Sequence, residues 1–400
     1  MLTTTKFWLW LTTQVSIDAA WRVLQRFGEP EKAYFADDQD YLSVQGLTEA
    51  ERQALTDKST QKVDQILADC QRLHVRILTW QDADYPDRLR SIDLPPMVLY
   101  ILGRFPQFDG EAVIAMAGTR RASSYGLSMA RMFAREITEG GGLVLTGVAP
   151  GCDQNAIMGA FDARGSVAVV LPGGVDVPFQ NSESSRRLYR DLARYGSLIT
   201  EYPPGTPNLG QHFRMRNRIL SGLSTALLCV EGGQRSGVLQ VAAYAREQER
   251  TVFVIPARIG DRTAAGTNQL MCEGYALPVL SGQDILVHYT ARFPQLLRRC
   301  GLEPESLAPS NPAPPPEEDK KGVDSEKSVD YSDLEKPENL SPAETQILKV
   351  MGDQSVTTEE LIAQTGLSAA DLMSSLTLLS LRGYVTPEGG GRFCSKVRLH

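Results

Sequence analysis

Three arginines stand within five residues in the segment Phe213-Arg214-Met215-Arg216-Asn217-Arg218. Guanidinium forks match the oxygens of phosphate, so this spacing suits anion binding. Arg214 and Arg218 are one helical turn apart and share a face. Like charges so placed weaken a helix unless something negative lies between them. Two partners fit: a bound phosphate, or local carboxylates such as Glu201 and Glu231. The chain as a whole is acidic, with a formal net charge of −7. Only charge within about 10 Å acts on a ligand, so a local basic groove remains compatible with that balance. No lysine occurs between Lys62 and Lys320. Any phosphate contact from a cationic side chain of the central region therefore comes from arginine.

The elements that must hold these residues are legible as alternating runs. Ala112–Ala117, Leu143–Gly147, Ser166–Leu171, Ser197–Tyr202, Thr225–Glu231, Thr251–Pro256 and Ala276–Leu280 are short and apolar. Helix-like stretches such as Tyr125–Thr138, Gln154–Asp162 and Leu239–Gln248 separate most of them. This alternation predicts an α/β domain with a parallel sheet covered on both faces. In such sheets ligands bind beyond the carboxyl ends of the strands. Glycine and small polar residues collect at those ends: Gly118-Thr119-Arg120 with Ser123-Ser124, Gly147 to Gly151, Pro172-Gly173-Gly174, Glu201 to Gly205, and Glu231 to Ser236-Gly237. Glycine lets backbone N–H groups approach a phosphate, and a following helix N-terminus favours negative charge. None of these loops is a G-x-G-x-x-G or Walker fingerprint, which disfavours NAD, FAD and Walker-type ATP use.

On either side lie smaller parts. Residues 1 to about 85 read as short helices: Ser16–Phe27, one beginning at Leu47 with Thr48 as cap, and Lys62–Leu73. The central domain spans 86–302. Residues 303–338, rich in proline and then acidic, read as a disordered linker. Residues 339–400 give three capped helices and a glycine-turned hairpin, a winged-helix pattern. Its third helix, Ala369–Leu381, carries no Lys or Arg, which favours protein contact over DNA reading. The six cysteines are scattered without C-x-x-C, as expected of free thiols in a reducing cytoplasm. The four histidines do not cluster with them, so no metal site is expected. Phe7–Leu11 is too short for a secretory signal, and no segment approaches a membrane span.

Taken in order, the central motifs resemble the DNA-processing protein A family (DprA, also called Smf). They include Tyr85-Pro86, Pro95-Pro96, Gly118-Thr119-Arg120, Ser124-Tyr125-Gly126, Gly147, Gly151, Asp153, Glu201 to Gly205, Phe213, Arg216-Asn217-Arg218-Ile219, Glu231, Ser236-Gly237 and Gly266-Thr267-Asn268-Gln269-Leu270. The resemblance implies an extended Rossmann domain, a SAM-like helical domain before it and a winged-helix domain after it. It implies sequence-independent binding of single-stranded DNA, loading of the RecA recombinase in natural transformation, dimerisation through the Rossmann domain, and neither cofactor nor catalysis. The DNA-binding set it suggests is Gly118, Thr119, Arg120, Ser123, Ser124, Gly147, Gly151, Phe179, Arg216, Asn217, Arg218, Ser236 and Gly237. Arg186, Arg187 and Arg190 would add a basic rim, and Phe179 and Phe213 would supply surfaces for unstacked bases. Where the family usually has a basic residue and a histidine, this chain has Pro150 and Ile157. A protein-interaction scaffold that has lost DNA binding is therefore one alternative. Another is a nucleotide phosphoribohydrolase-like enzyme, although Pro172-Gly173-Gly174 is followed by Val175-Asp176 and not by Gly-Thr.

Overall fold

The computed structural model describes residues 4–178, 180, 182–296, 340–352, 356–368, 372, 375–376, 379–380, 384–388 and 392–395. The chain divides into two compact units, Met1–Ser310 and Asn311–His400. The expected linker lies outside the described residues.

The first unit begins with helices α1 (Thr4–Gln14), α2 (Ile17–Phe27), α3 (Pro30–Phe35), α4 (Asp38–Leu42), α5 (Glu49–Thr56) and α6 (Gln61–Leu73). Local chemistry sets their limits. The Ser16 hydroxyl accepts from the Ala19 N–H at the start of α2, and Gly28 ends it at φ 78°. Thr48 and Glu51 cap α5 reciprocally. Helix α1 was not foreseen, because Phe7–Leu11 has no amphipathic period. All five of those side chains are buried, so the helix has no polar face to reveal it. Trp21 ties this helical layer to the segment leading into the sheet. Its ring meets Trp80 edge-on at 5.4 Å, and its indole N–H donates to the Pro95 carbonyl at 2.9 Å.

The sheet is formed by β1 (Arg76–Thr79), β2 (Val98–Gly103), β3 (Val113–Ala117), β4 (Leu143–Thr146), β5 (Val167–Val170), β6 (Ser197–Thr200), β7 (Ala226–Cys229), β8 (Thr251–Val254) and β9 (Leu277–Pro278). Between them lie α7 (Asp87–Arg90), α8 (Ser124–Glu139), α9 (Cys152–Asp162), α10 (Glu183–Tyr195), α11 (Gly210–Gly222), α12 (Gly237–Glu247) and α13 (Ala265–Cys272), with α14 (Gly282–Val287) after β9. All the expected strands are present, somewhat trimmed at their ends. Strands β1 and β2 are additional, and β1 falls in the stretch read as helical. Strand β1 pairs antiparallel with β2, and β2 antiparallel with β6, with Tyr100 opposite Thr200, so only β3–β9 form the parallel part.

Side chains alternate across the sheet. Ile114 and Met116 join the core with Phe133 of α8 and Ala156 of α9. Val113, Ala115 and Ala117 join the core with Leu220 of α11 and Val241 of α12. The strand order is β1-β2-β6-β5-β4-β3-β7-β8-β9. The chain runs outward from β3 to β6 on one side, then returns to lay β7, β8 and β9 on the other. The reversal opens a crevice between the carboxyl ends of β3 and β7, which end in register at Ala117 and Cys229.

In the second unit, α15 (Pro342–Met351) and α16 (Thr358–Thr365) are each capped reciprocally, by Ser341 with Glu344 and by Thr357 with Glu360. Strands β10 (Val356–Thr357), β11 (Val385–Glu388) and β12 (Arg392–Ser395) form a small sheet in the order β10-β12-β11. This is the expected winged helix. Most of the expected third helix lies outside the described residues, although Leu372, Leu376 and Leu379 are buried with Ile347 and Leu361.

One contact holds the crevice in shape. The buried Glu231 carboxylate, just past β7, accepts from the Ser123 N–H at 3.1 Å and from the Ser123 hydroxyl at 2.7 Å. A Cβ on Gly126 would overlap Glu231 Oε2. Gly126→Ala is therefore expected to lower stability by about 1–3 kcal/mol, as overpacking does. Gly237→Ala, where a Cβ meets open space, should leave urea unfolding unchanged. Equal midpoints for wild type and Gly126→Ala would contradict the packing argument.

Candidate nucleic-acid interface

The crevice at the β3–β7 reversal is a basin of about 350 Å³. Three loops and one helix build it. Gly118 to Arg121 come from the end of β3, Ala149 and Asp153 from the β4–α9 turn, and Ser236 to Val238 from the start of α12. Helix α11 supplies Phe213, Arg216, Asn217 and Leu220, spaced i, i+3, i+4 and i+7 along one face. Three guanidiniums and one carboxylate line the basin, so it is locally positive in an acidic chain.

Arg216 is the decisive group. It is 5% exposed, and among the described residues no hydrogen bond or ion pair reaches its guanidinium. Asp153 is near enough to be felt but not paired, and Gly147, lacking a Cβ, faces the space between them. A Cβ at Gly147 would sit 2.7 Å from Arg216 Nη1 and would overlap Asp153 Oδ2. Burial drives the Arg216 pKa down; Asp153 opposes this and Arg120 adds to it. Burial likewise pushes the Asp153 carboxyl up to about 6, against the pull of Arg216 and of the Ala149 N–H. An unpaired buried cation is costly, and an anion between Arg216 and Arg120 would relieve both the desolvation and the mutual repulsion.

Two helix N-termini nearby already have partners. The Glu231 carboxylate occupies that of α8. Asp153 stands in the first turn of α9 and accepts from the Ala149 N–H at 3.3 Å. At α12 the Ser236 hydroxyl accepts from the Val238 N–H at 3.4 Å, and Gly237 is exposed beside the basin. Arg120 lies over the Phe213 ring, 4.6 Å from its centroid, forming a flat apolar plate with a cationic back.

Of the residues read from the sequence, Gly118, Thr119, Arg120, Arg216, Asn217, Ser236 and Gly237 line the basin. Gly147 stands behind Arg216, and Gly151 packs on the Thr119 and Arg120 carbonyls. Ser123 is engaged by Glu231, and Ser124 is the first residue of α8. Phe179 lies outside the described residues. Arg187 and Arg190 pair along α10 with Asp191 and Glu183 at 3.9 and 2.9 Å, and no α10 residue lines the basin. Arg218 is the correction. It points away from the basin into a buried ion pair with Glu201 at 2.6 Å. Arg121 and Asp153 were not foreseen as part of the site. The helical spacing of Phe213, Arg216 and Asn217 was the signal that separates Arg216 from Arg218. The Pro172–Gly174 loop folds onto the β6–α11 loop, with the Gly174 N–H donating to the Thr206 carbonyl at 2.9 Å.

Residues 76–290 match the family model of DNA recombination-mediator protein A. The chain belongs to this family. Residues 333–391 match the DprA winged helix domain. Protein Smf of Synechocystis sp. is 29% identical over 344 residues, covering 82% of each chain. The DNA processing protein DprA of Bacillus subtilis is 32% identical over 241 residues, covering 58% of this chain and 80% of its own. The crystal structure of DprA from Streptococcus pneumoniae superposes with a TM-score of 0.62 at 25% identity, covering 72% of this chain and 98% of that one. The family match contains the whole basin, from Ala117 to Val241.

The two arginines of α11 should behave oppositely. Arg218→Ala leaves the Glu201 carboxylate buried without its cation, so unfolding free energy should fall by about 3–5 kcal/mol. Arg216→Met removes a charge that has no partner, so the ligand-free protein should gain on the order of 1 kcal/mol. Thermal unfolding of both variants checks this. A destabilised Arg216→Met would mean that the free protein does satisfy that guanidinium.

Proposed function

We propose that the chain binds single-stranded DNA without sequence specificity in the β3–β7 basin. As the family resemblance implies, it then hands the strand to the RecA recombinase, acting as a homodimer in the cytoplasm. The observation that carries the binding part is the buried Arg216 guanidinium, which has no hydrogen-bond or ion-pair partner among the described residues and faces a basin that opens at a sheet reversal. A backbone phosphate fits between Arg216, Arg120 and the N-terminus of α12. An unstacked base fits on Phe213, which Arg120 backs. Such contacts recognise charge and ring faces and leave base edges unread, so sequence preference is weak.

Two features weigh against an enzyme. The strand-end carboxylates that could act as acid or base are both committed, Glu231 to Ser123 and Glu201 to Arg218. The Pro172–Gly174 loop is closed on Thr206 and offers no open phosphate cradle. Against the scaffold reading, Pro150 and Ile157 leave the cationic floor of the basin intact.

Binding of an oligothymidine should weaken linearly with log salt, with a slope of about −0.7 per phosphate neutralised. Arg120→Ala should cost about 1–3 kcal/mol of affinity, and Arg120→Lys should restore only part of it. A flat salt response, or wild-type affinity in folded Arg120→Ala, would contradict the basin as the DNA site. The hand-over is tested by RecA filament growth on DNA coated with single-strand binding protein. Wild type should shorten the lag and Arg216→Met should not. An unchanged lag with DNA-binding protein present would rule out the mediator role.

A further inference from the structure

Helix α11 has a second working face. Its Gln211, Arg214 and Met215 line a larger cavity of about 1150 Å³ between the N-terminal helices and the sheet. The cavity's apolar wall comes from Val15 and Ile17 at the α1–α2 turn, Ile66 of α6, and Met97 and Val98 at the start of β2.

Three polar features stand against that wall. Glu201 gives one carboxylate oxygen, Oε2, to Arg218, while its Oε1 is buried and, among the described residues, makes no close hydrogen bond, although the Tyr202 side chain lies near enough to interact with the carboxylate. The Tyr202 and His212 rings lie stacked, with centroids 4.1 Å apart and planes at 19°. Lys62 and Arg214 line the cavity and are exposed. A buried acceptor left unmade is costly, so this site calls for a donor. A flat ring, a donor on its edge and negative charge toward solvent describe a nucleotide.

We propose that this cavity receives a base of the same DNA strand, downstream or upstream of the phosphate held at Arg216. The proposal rests on the single-stranded DNA reading above. The two cavities lie on opposite flanks of one helix, and a helix with its side chains is only about 10–12 Å across. A strand anchored in the basin crosses α11 within a few nucleotides, its backbone passing Arg214 and Lys62. The base then slides along the apolar wall toward the Tyr202–His212 pair and presents its edge to Glu201 Oε1. Adenine, cytosine and guanine carry an amino group that can donate there. The single ring N–H of thymine is flanked by carbonyl oxygens, which a carboxylate repels. One position of the strand therefore favours an amino-bearing base, while the others remain unselective.

The test compares a trinucleotide with a dodecamer of thymidine, on the full chain. Gln65→Trp fills the mouth of the cavity from an exposed position on α6, and Lys62→Gln removes one cation there. Both variants should bind the trinucleotide like wild type. Placing one cytosine in the dodecamer should tighten binding to wild type and not to Gln65→Trp, which should bind the cytosine-bearing dodecamer about tenfold more weakly than wild type does. Wild-type affinity of Gln65→Trp for the cytosine-bearing dodecamer overturns the proposal. So does binding of free dAMP in the presence of saturating dodecamer that is lost in Gln65→Trp, since the cavity would then serve a free nucleotide. Arg216→Met separates this from the basin itself: if it keeps trinucleotide binding, the basin reading fails instead.

Discussion

A buried arginine, Arg216, with no partner among the described residues is the constraint around which the central domain is arranged. Taking a guanidinium out of water costs several kcal/mol unless something negative replaces the solvent. In this chain the carboxylate beside it, Asp153, makes no ion pair with it among the described residues and is itself pushed toward its neutral form by burial. The cost is met by the fold around it: the sheet, the two helical layers and the Glu231 clasp on Ser123. Strain of this kind persists when the surroundings over-determine it, and it collects at binding sites.

The surrounding carboxylates show how the anion's place is kept open. Three parallel strands end near the basin, and each is followed by a helix whose N-terminus attracts negative charge. Glu231 fills the place at α8, and Asp153 sits at α9. A ligand phosphate is thus directed to the remaining combination, α12 with Arg216 and Arg120. The loops after β5 and β6 carry glycines too, but they satisfy one another through Gly174 and Thr206. Glycine at a strand end is a permission for close approach; which atom approaches is decided by what else is charged there.

Much of this was legible in the sequence. The alternating apolar runs gave the parallel strands, because strands buried on both faces leave no other pattern. Thr48 marked a helix start through side-chain chemistry that is wholly local. What stayed hidden depended on contacts distant in sequence. Phe7–Leu11 has no period because tertiary packing covers every side of α1. Strands β1 and β2 extend the sheet antiparallel, β2 pairing with β6 and β1 with β2, a register that neither segment announces. Arg218 carries the same charge as Arg216 two positions away, and only the position of Glu201 beyond β6 reveals that it is a structural cation.

The Arg214–Arg216–Arg218 triplet shows how helical geometry divides one cluster into separate tasks. At 100° per residue, alternate positions diverge by 200°, so Arg216 faces the basin while Arg214 and Arg218 face the opposite flank. There Arg218 holds one Glu201 oxygen from within, and Arg214 lies exposed along the same cavity. A helix with like charges every second residue would be poorly designed as an isolated helix, and its expected repulsion at i, i+4 is real. Here it is resolved by burying one arginine against a carboxylate, leaving one to solvent, and holding one in reserve for an anion that the protein does not supply.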